Sequence, residues 1–220
     1  MSVILINFNG VADLPACLDS LLAQDYPLIE LVMVDNGSDD GSLQLLRSFA
    51  REPGNALRFS GPVRLVENGA NRGFSPAFNQ GVVESSGELV MPLNTDVVME
   101  SGFISSLVAA LEEQKAGSAS GKLLRFPPGG RENVIDSAGH VIFRNRLAVN
   151  RGEGEPGASS YNEMEEVFGV CGAAALYSRE MLEDVSVGGE YFDEHFFAFW
   201  EDLDLDWRAR MRGWKCVYTP

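Results

Sequence analysis

The stretch Leu89-Val-Met-Pro-Leu-Asn-Thr-Asp96 decides the fold. Its apolar first half reads as a buried strand, Leu89 to Leu93, which stops abruptly at Asn94, Thr95 and Asp96 before a helical repeat of Phe103, Ile104, Leu107, Val108 and Leu111. A buried strand that carries a carboxylate to its own C-terminal tip suits an open α/β sheet, where ligands collect beyond the carboxyl ends of parallel strands. Asp96 can therefore hold a cation there, or it can cap the helix that follows. Ser101, directly before the apolar periodicity, is the better N-cap and favours the first role for Asp96.

Working outward, the same unit recurs upstream. Ser2 to Asn7 is a continuous apolar run, which fits a central strand covered on both faces. Leu14, Leu18, Leu21 and Leu22 then follow at helical spacing, after Asp13 and Pro15 as start signals. Ile29 to Val34 is a second strand, Asp35 to Ser42 a polar loop, and Leu43 to Phe49 a short helix with Leu46 on its buried face. Val63 to Val66 is a third strand, and Glu67 to Gly73 a Gly- and Asn-rich turn. Ser75 and Pro76 mark the start of a helix running to about Ser86. Alternating strands and helices over residues 1–115 predict right-handed βαβ units and a mostly parallel sheet.

Past Gly117 the pattern changes. Leu123-Leu124, Val134-Ile135 and Val141 to Phe143 are short strands separated by Pro127 to Gly130 and by Ser137 to Gly139, which predicts hairpins. Arg151 to Gly157 reads as an exposed, mobile loop, a candidate lid. Glu166 to Tyr177, around Gly172, reads as the best buried strand of this half. A helix from Glu201 to Arg212 leads to a strand, Trp214 to Tyr218, cut short at Pro220; a closing strand at a terminus reads as a chain that continues in the natural protein. The expectation is one domain, 1–220, in two halves divided near residue 115.

The chain has 220 residues, 45% of them hydrophobic, enough to bury a full core. Its net charge of -15 excludes nucleic acid and an anionic membrane surface as electrostatically driven partners. An anionic ligand would need a metal ion, helix N-termini or a few placed arginines. The three cysteines, Cys17, Cys171 and Cys216, form neither a Cys-x-x-Cys pair nor a disulfide framework. With no leader-like or membrane-spanning apolar run, the reading is a soluble cytoplasmic protein, compatible with peripheral contact at the inner face of a membrane.

A second acidic cluster, Glu201-Asp-Leu-Asp-Leu-Asp206, directly follows the nearly wholly apolar Phe196-Phe-Ala-Phe-Trp200. Acids early in a helix and Arg208, Arg210 and Arg212 late in it complement the helix dipole. Leu203, Trp207, Met211 and Trp214 fall at helical spacing as the expected buried face, and the aromatic run reads as core. Yet a carboxylate beside an apolar wall is desolvated, which raises its pKa and makes it a better general base near neutral pH. Asp202 and Asp206 share one face, Glu201 and Asp204 another. His140 and His195 each stand alone among apolar neighbours, the structural setting for a histidine, although His195 lies close enough to Glu201 in sequence to reach an acceptor site.

Taken in order, Ile6-Asn-Phe-Asn-Gly10, Val34-Asp-Asn-Gly-Ser38, Glu67-Asn68 with Asn71-Arg-Gly-Phe74, Leu93-Asn-Thr-Asp96, Ile135-Asp-Ser-Ala-Gly139, Cys171-Gly-Ala173 and Trp200-Glu-Asp-Leu-Asp204 resemble the family-2 glycosyltransferases, particularly their rhamnosyltransferase-like branch. The similarity covers essentially the whole chain. It implies a GT-A type, Rossmann-like α/β fold and inverting transfer of a sugar from a nucleotide diphosphate to an acceptor hydroxyl, in the synthesis of a cell-surface glycan. On that resemblance Asp35 holds the base or ribose, Phe8 lies against the base, and Asn71 or Arg72 assists at the base or diphosphate. Asn7, Asn36 and Thr95 complete the expected donor-binding set. Cys171, Gly172 and Ala173 line the donor-sugar pocket, Asp96 ligates Mg²⁺ or Mn²⁺, and Asp202 is the general base with Glu201 beside it.

The chemistry needs an acid at each end: a stabilised departing diphosphate and a deprotonated attacking hydroxyl. No separate carboxylate offers itself as the nucleophile of a retaining double displacement. One departure from the family pattern is Asn94, where the metal motif ordinarily has a first Asp; its amide can bind a ribose or coordinate through oxygen but brings no charge. Two other readings share these features: a sugar nucleotidyltransferase, which should carry a Gly-rich loop with a basic residue after the first strand, and a non-catalytic sugar-nucleotide-binding domain. A dinucleotide dehydrogenase fits poorly, since no Gly-x-Gly-x-x-Gly follows the first strand. By branch resemblance the expected donor is dTDP-rhamnose, then UDP-hexoses or a furanose donor, and the acceptor a polysaccharide or lipid-linked glycan.

Overall fold

The computed structural model describes residues 1–125, 133–157 and 159–220, so the turn expected at Pro127 to Gly130 lies outside the described residues. Four strands, β1 (Ser2–Asn7), β2 (Glu30–Asp35), β3 (Arg64–Glu67) and β4 (Leu89–Asn94), form a parallel sheet in the order β3-β2-β1-β4. The helices α1 (Leu14–Leu22), α2 (Ser42–Arg51), α3 (Pro53–Arg58), α4 (Phe74–Val83) and α5 (Phe103–Gln114) cross between strands or lead out of them. Every residue of β1 is buried, as its unbroken apolar run requires. Strand alternation sends Val3 and Leu5 to one face, with Leu14, Leu18, Leu21 and Leu107, and Ile4 and Ile6 to the other, with Phe78, Val82 and Leu205.

The parallel order ends at β4. There β11 (Leu176–Ser178) pairs antiparallel with β4 and with β5 (Ser118–Ser120). Next, β12 (Cys216–Tyr218) lies parallel to β5, and β10 (Glu165–Val167) closes this edge antiparallel to β12, giving one sheet of eight strands. The expected hairpins form as two small sheets. β6 (Leu123–Leu124) pairs with β7 (Ile135–Ser137), and β8 (His140–Ile142) with β9 (Ala148–Asn150). Two more helices, α6 (Arg179–Val185) and α7 (Glu201–Met211), complete the chain. Among the described residues no helix is long and apolar enough to cross a membrane.

Tertiary contacts override several local expectations. Helix α4 starts after Gly73 rather than at Ser75, because the Phe74 N–H is taken by the Phe197 carbonyl at 2.6 Å. Likewise α5 follows Gly102, and no Ser101 side chain caps it: the Gln24 side chain accepts from Ile104 N at 3.1 Å and closes the helix end from across the fold. The expected strand Glu166 to Tyr177 is two short strands, β10 and β11, with a loop between them that reaches toward α7 and the tip of β4.

The surface also differs from expectation. Arg151 to Gly157 is largely exposed but tied down by backbone bonds from Arg151 N to Gly139 O and from Gly154 N to Ile135 O, so it is an anchored extension of β7 and β8 rather than a free lid. The aromatic run is not core: Phe197, Phe199 and Trp200 are exposed. On α7 the buried residues are Glu201, Leu205, Asp206 and Ala209, while Trp207 and Met211 face solvent. The apolar spacing therefore marked the wrong face, and the helix turns two of its acids inward.

Candidate active site

The C-terminal ends of β1, β2 and β4 meet at one rim of the sheet. Gly10 permits the close approach there, since a Cβ on it would lie 2.7 Å from Thr95 Oγ1 and 2.8 Å from Asn7 Oδ1. Asn7 and Asp35 are fully buried. The Asn7 amide donates to Asp35 Oδ1 at 2.7 Å, and Asp35 Oδ2 accepts from the N–H groups of Gly37 and Ser38. The Asp35 carboxylate is thus committed to shaping its own loop.

Asn36 ties that loop to the next one, donating to Asn71 Oδ1 at 3.0 Å and to Gly73 O at 2.9 Å. Phe8, about half exposed, and the exposed Arg72 stand free at the rim. Gly73 takes φ +98, and a Cβ on it would meet Phe197 O at 2.5 Å. Only glycine allows the aromatic run to lie against the donor-side loop this way.

Asp96 is exposed at the tip of β4 and makes no hydrogen bond or ion pair among the described residues. Behind it, Asn94 N donates to Ala173 O at 3.0 Å. One residue away, Gly172 N donates to Asp202 Oδ2 at 2.8 Å. The loop at 171–173 therefore joins the β4 tip to the start of α7, bringing together the residues expected to hold the metal and to act as base. Gly172 is packed tightly, since a Cβ on it would lie 3.1 Å from that of Asp202.

Helix α7 begins from two strained residues, Phe199 at φ +71 and Trp200 at φ +74. Left-handed geometry is costly for aromatic residues and gathers at functional sites. It turns Glu201 inward, where burial pushes its carboxyl up to about 7 and leaves Oε2 without a hydrogen-bond partner among the described residues. Asp202 is the more accessible of the pair and its Oδ1 accepts from Leu203 N.

His140 escaped the sequence reading, and Asp206 stood there only as one acid of the cluster. His140 Nδ1 lies 2.8 Å from Asp206 Oδ2, and its Nε2 lies 3.7 Å from Asp202 Oδ2. Burial pushes the Asp206 carboxyl up to about 7, against the pull of His140. Burial works to lower the His140 pKa, but the bond to Asp206 and the charges of Asp206 and Asp202 together raise it. The only signal available was the shared face of Asp202 and Asp206; nothing in spacing linked either to His140, which lies 66 residues from Asp206. His195, by contrast, is exposed and pairs only with Asp193 at 2.8 Å, which raises its pKa.

Among the described residues no three His, Cys, Asp or Glu side chains converge into a ready cation cage. At the β4 tip, among the described residues, Asp96 offers a hard, exposed carboxylate. That fits a Mg²⁺- or Mn²⁺-type ion held by one carboxylate, waters and ligand phosphates better than a dedicated protein site.

Residues 2–186 match the family described as Glycosyl transferase family 2. The whole chain aligns at 29% identity with 73% of an N-acetylglucosaminyl-diphospho-decaprenol L-rhamnosyltransferase of Mycobacterium tuberculosis. It aligns at 21% identity with 48% of a poly-beta-1,6-N-acetyl-D-glucosamine synthase of Staphylococcus epidermidis. A mannosyltransferase of Pyrobaculum calidifontis, solved with GDP-Man and Mn²⁺, superposes on the full chain with a TM-score of 0.67 at 23% identity, over 54% of its own length. This chain thus spans between about half and three quarters of the length of these proteins. With a family match over most of its length and the GT-A architecture throughout, the chain belongs to glycosyl transferase family 2.

Proposed function

We propose that this chain transfers a sugar from a nucleotide-diphosphate donor to an acceptor hydroxyl with inversion at the anomeric carbon, in the synthesis of a cell-surface glycan. The observation that carries this is the 171–173 loop, which holds the Asp96 tip and the Asp202 helix start to one site through Asn94–Ala173 and Gly172–Asp202 bonds. An acid on each side of a small-residue loop suits a sugar seated between a departing diphosphate and an attacking hydroxyl.

Asp202 takes the acceptor proton as the new C–O bond forms and the bond to the diphosphate breaks. A positioned base of this kind contributes roughly a hundred- to ten-thousand-fold. Glu201, buried and raised toward neutrality, remains beside it as an uncharged neighbour rather than a second base. On the donor side, residues 1–115 supply Phe8 and Arg72 to the base and diphosphate, with Asn7, Asp35, Asn36 and Asn71 holding their loops in shape. Cys171, Gly172 and Ala173 line the sugar pocket. Asp96, with Asn94 and Thr95 beside it, would hold a divalent cation, whose contribution when bound is to offset charge on the departing diphosphate.

The proposed donor is dTDP-rhamnose or a UDP-sugar, rhamnose being supported by the name of the mycobacterial L-rhamnosyltransferase, and the proposed acceptor is a lipid-linked glycan, supported by the diphospho-decaprenol in that relative's name. The exposed Phe197, Phe199 and Trp200 would meet such an acceptor at the membrane face.

The test is a thermal-shift and transfer panel of dTDP-, UDP- and GDP-sugars with and without Mn²⁺, since a ligand of the native state raises apparent stability with occupancy. A Mn²⁺-dependent shift with one donor, followed by transfer that Asp202→Asn abolishes, supports the reading. No shift with any nucleotide sugar overturns it.

A further inference from the structure

The His140–Asp206 pair is buried behind the proposed base. Both ring nitrogens of His140 face carboxylate oxygens: Nδ1 faces Asp206 at 2.8 Å and Nε2 faces Asp202 at 3.7 Å. Asp206 Oδ2 also accepts from Val170 N at 2.9 Å, so that oxygen acts as an acceptor and the shared proton belongs to the imidazole. A neutral ring would turn one bare nitrogen lone pair toward a carboxylate; an imidazolium offers an N–H to each.

Arg151, whose guanidinium reaches the Ala138 carbonyl at 3.5 Å, is paired with Glu165 at 2.6 Å, which leaves this ring as the positive charge that faces the acids of α7. From α7 it faces Asp202 and Asp206, with Glu201 adjoining Asp202. Cys171 on the loop, Tyr177 on β11 and Cys216 on β12 couple to the same acids, and burial pushes all three far above neutrality, so they stay uncharged. Asp136 on β7 adds a further negative charge near Cys171. The arginines of α7 are engaged elsewhere, Arg208 on Asp204 and Arg210 on Glu166. Without His140, two acids four residues apart on one helical face would stand with no positive charge between them.

The backbone is shaped to this contact. A Cβ on Gly169 would lie 1.8 Å from Asp206 Oδ2, and Gly169 O accepts the His140 N–H at 2.8 Å. Gly139, at φ +98, makes the turn that presents His140.

We propose that His140, fixed by Asp206, is the positive counter-charge that keeps Asp202 ionised and ready to take the acceptor proton. It is a positioning residue that touches no reacting atom, and the inference rests on the reading of Asp202 as the base.

The experiment is the pH profile of kcat/KM for the protein and for His140→Asn, whose amide can still donate to Asp206 but carries no charge. The acid limb should move up by roughly one to three pH units, with the alkaline plateau largely recovered. A uniform loss at every pH with an unmoved limb overturns the inference.

Should that variant fail to fold, ring NMR of His140 in the otherwise intact protein, with the exposed His195 replaced by Gln for assignment, reads the same property. The imidazolium should persist at pH 7 and titrate lower in Asp206→Asn, and a ring already neutral at pH 6 overturns the inference. Asp202→Asn run in parallel separates the two levels. If it keeps full transfer, the base reading falls; if it is inactive while the His140→Asn limb stays unmoved, only the role of His140 falls.

Discussion

Asp202 Oδ2 accepts the Gly172 backbone N–H at 2.8 Å, so the carboxylate at the start of α7 is aimed by a loop whose next residue bonds the tip of β4. Substituting Asp202→Asn keeps an acceptor for that N–H and removes the base. Transfer should fall by roughly a hundred-fold or more, with donor binding and thermal stability close to those of the parent. Steady-state kinetics beside a donor-induced thermal shift check this; a variant that loses both together would mean Asp202 serves the fold instead.

The glycine at 169 makes a sharper structural prediction. A Cβ there would sit 1.8 Å from Asp206 Oδ2 and 2.7 Å from the Asp206 Cβ, and that buried side chain is held by His140 and Val170 N and cannot swing aside as a free side-chain end would. Gly169→Ala should cost about 1–3 kcal/mol or more, while Gly54→Ala in α3, where the nearest atom is 3.9 Å away, should be neutral or stabilising. Equal unfolding midpoints for the two variants would sink the idea.

What the sequence disclosed and what it hid divide along physical lines. The parallel half was legible because β1, β2 and β4 are apolar runs separated by helical repeats, a local signal that the buried strands answer to within a residue at their ends. The β4 tip and the acids of α7 were legible as types at places where ligands collect. The cap of α5 was not, since Gln24 reaches it from 80 residues away. The buried face of α7 was misread for a related reason: Leu203, Trp207 and Met211 carry the apolar spacing, but His140 and Val170 N give Asp206 partners that repay its burial. Periodicity records hydrophobicity, and at a site polar pairing across the fold can outweigh it.

Asn94 sets up a test of the metal assignment. With one carboxylate at the β4 tip, a cation would depend mostly on donor phosphates and waters. Asn94→Asp adds a second charge beside Asp96 and should lower the Mn²⁺ concentration giving half-maximal activity, while Asp96→Asn should raise it by roughly ten-fold or more. Titrating Mn²⁺ at fixed donor distinguishes these; insensitivity to both changes would remove Asp96 as the ligand.

Glu201 ties the site to stability through pH. Its carboxyl is raised by burial from 4.5 to about 7, so the folded state favours the protonated form. That contribution is complete below about pH 4.5, fades as pH rises and is lost above about 7, where a charge must be buried without a partner for Oε2. His140, whose pKa is raised in the folded state, against its burial, by its bond to Asp206, follows the same direction, so the parent protein should lose stability from pH 5 to 8. Glu201→Gln removes one of these two groups and should flatten that fall by on the order of 2–3 kcal/mol, at about 1.4 kcal/mol per pH unit. Urea unfolding at pH 5 and pH 8 checks it: parallel losses in parent and variant would show that Glu201 reaches solvent when charged, and that the apolar wall beside it does not set its protonation.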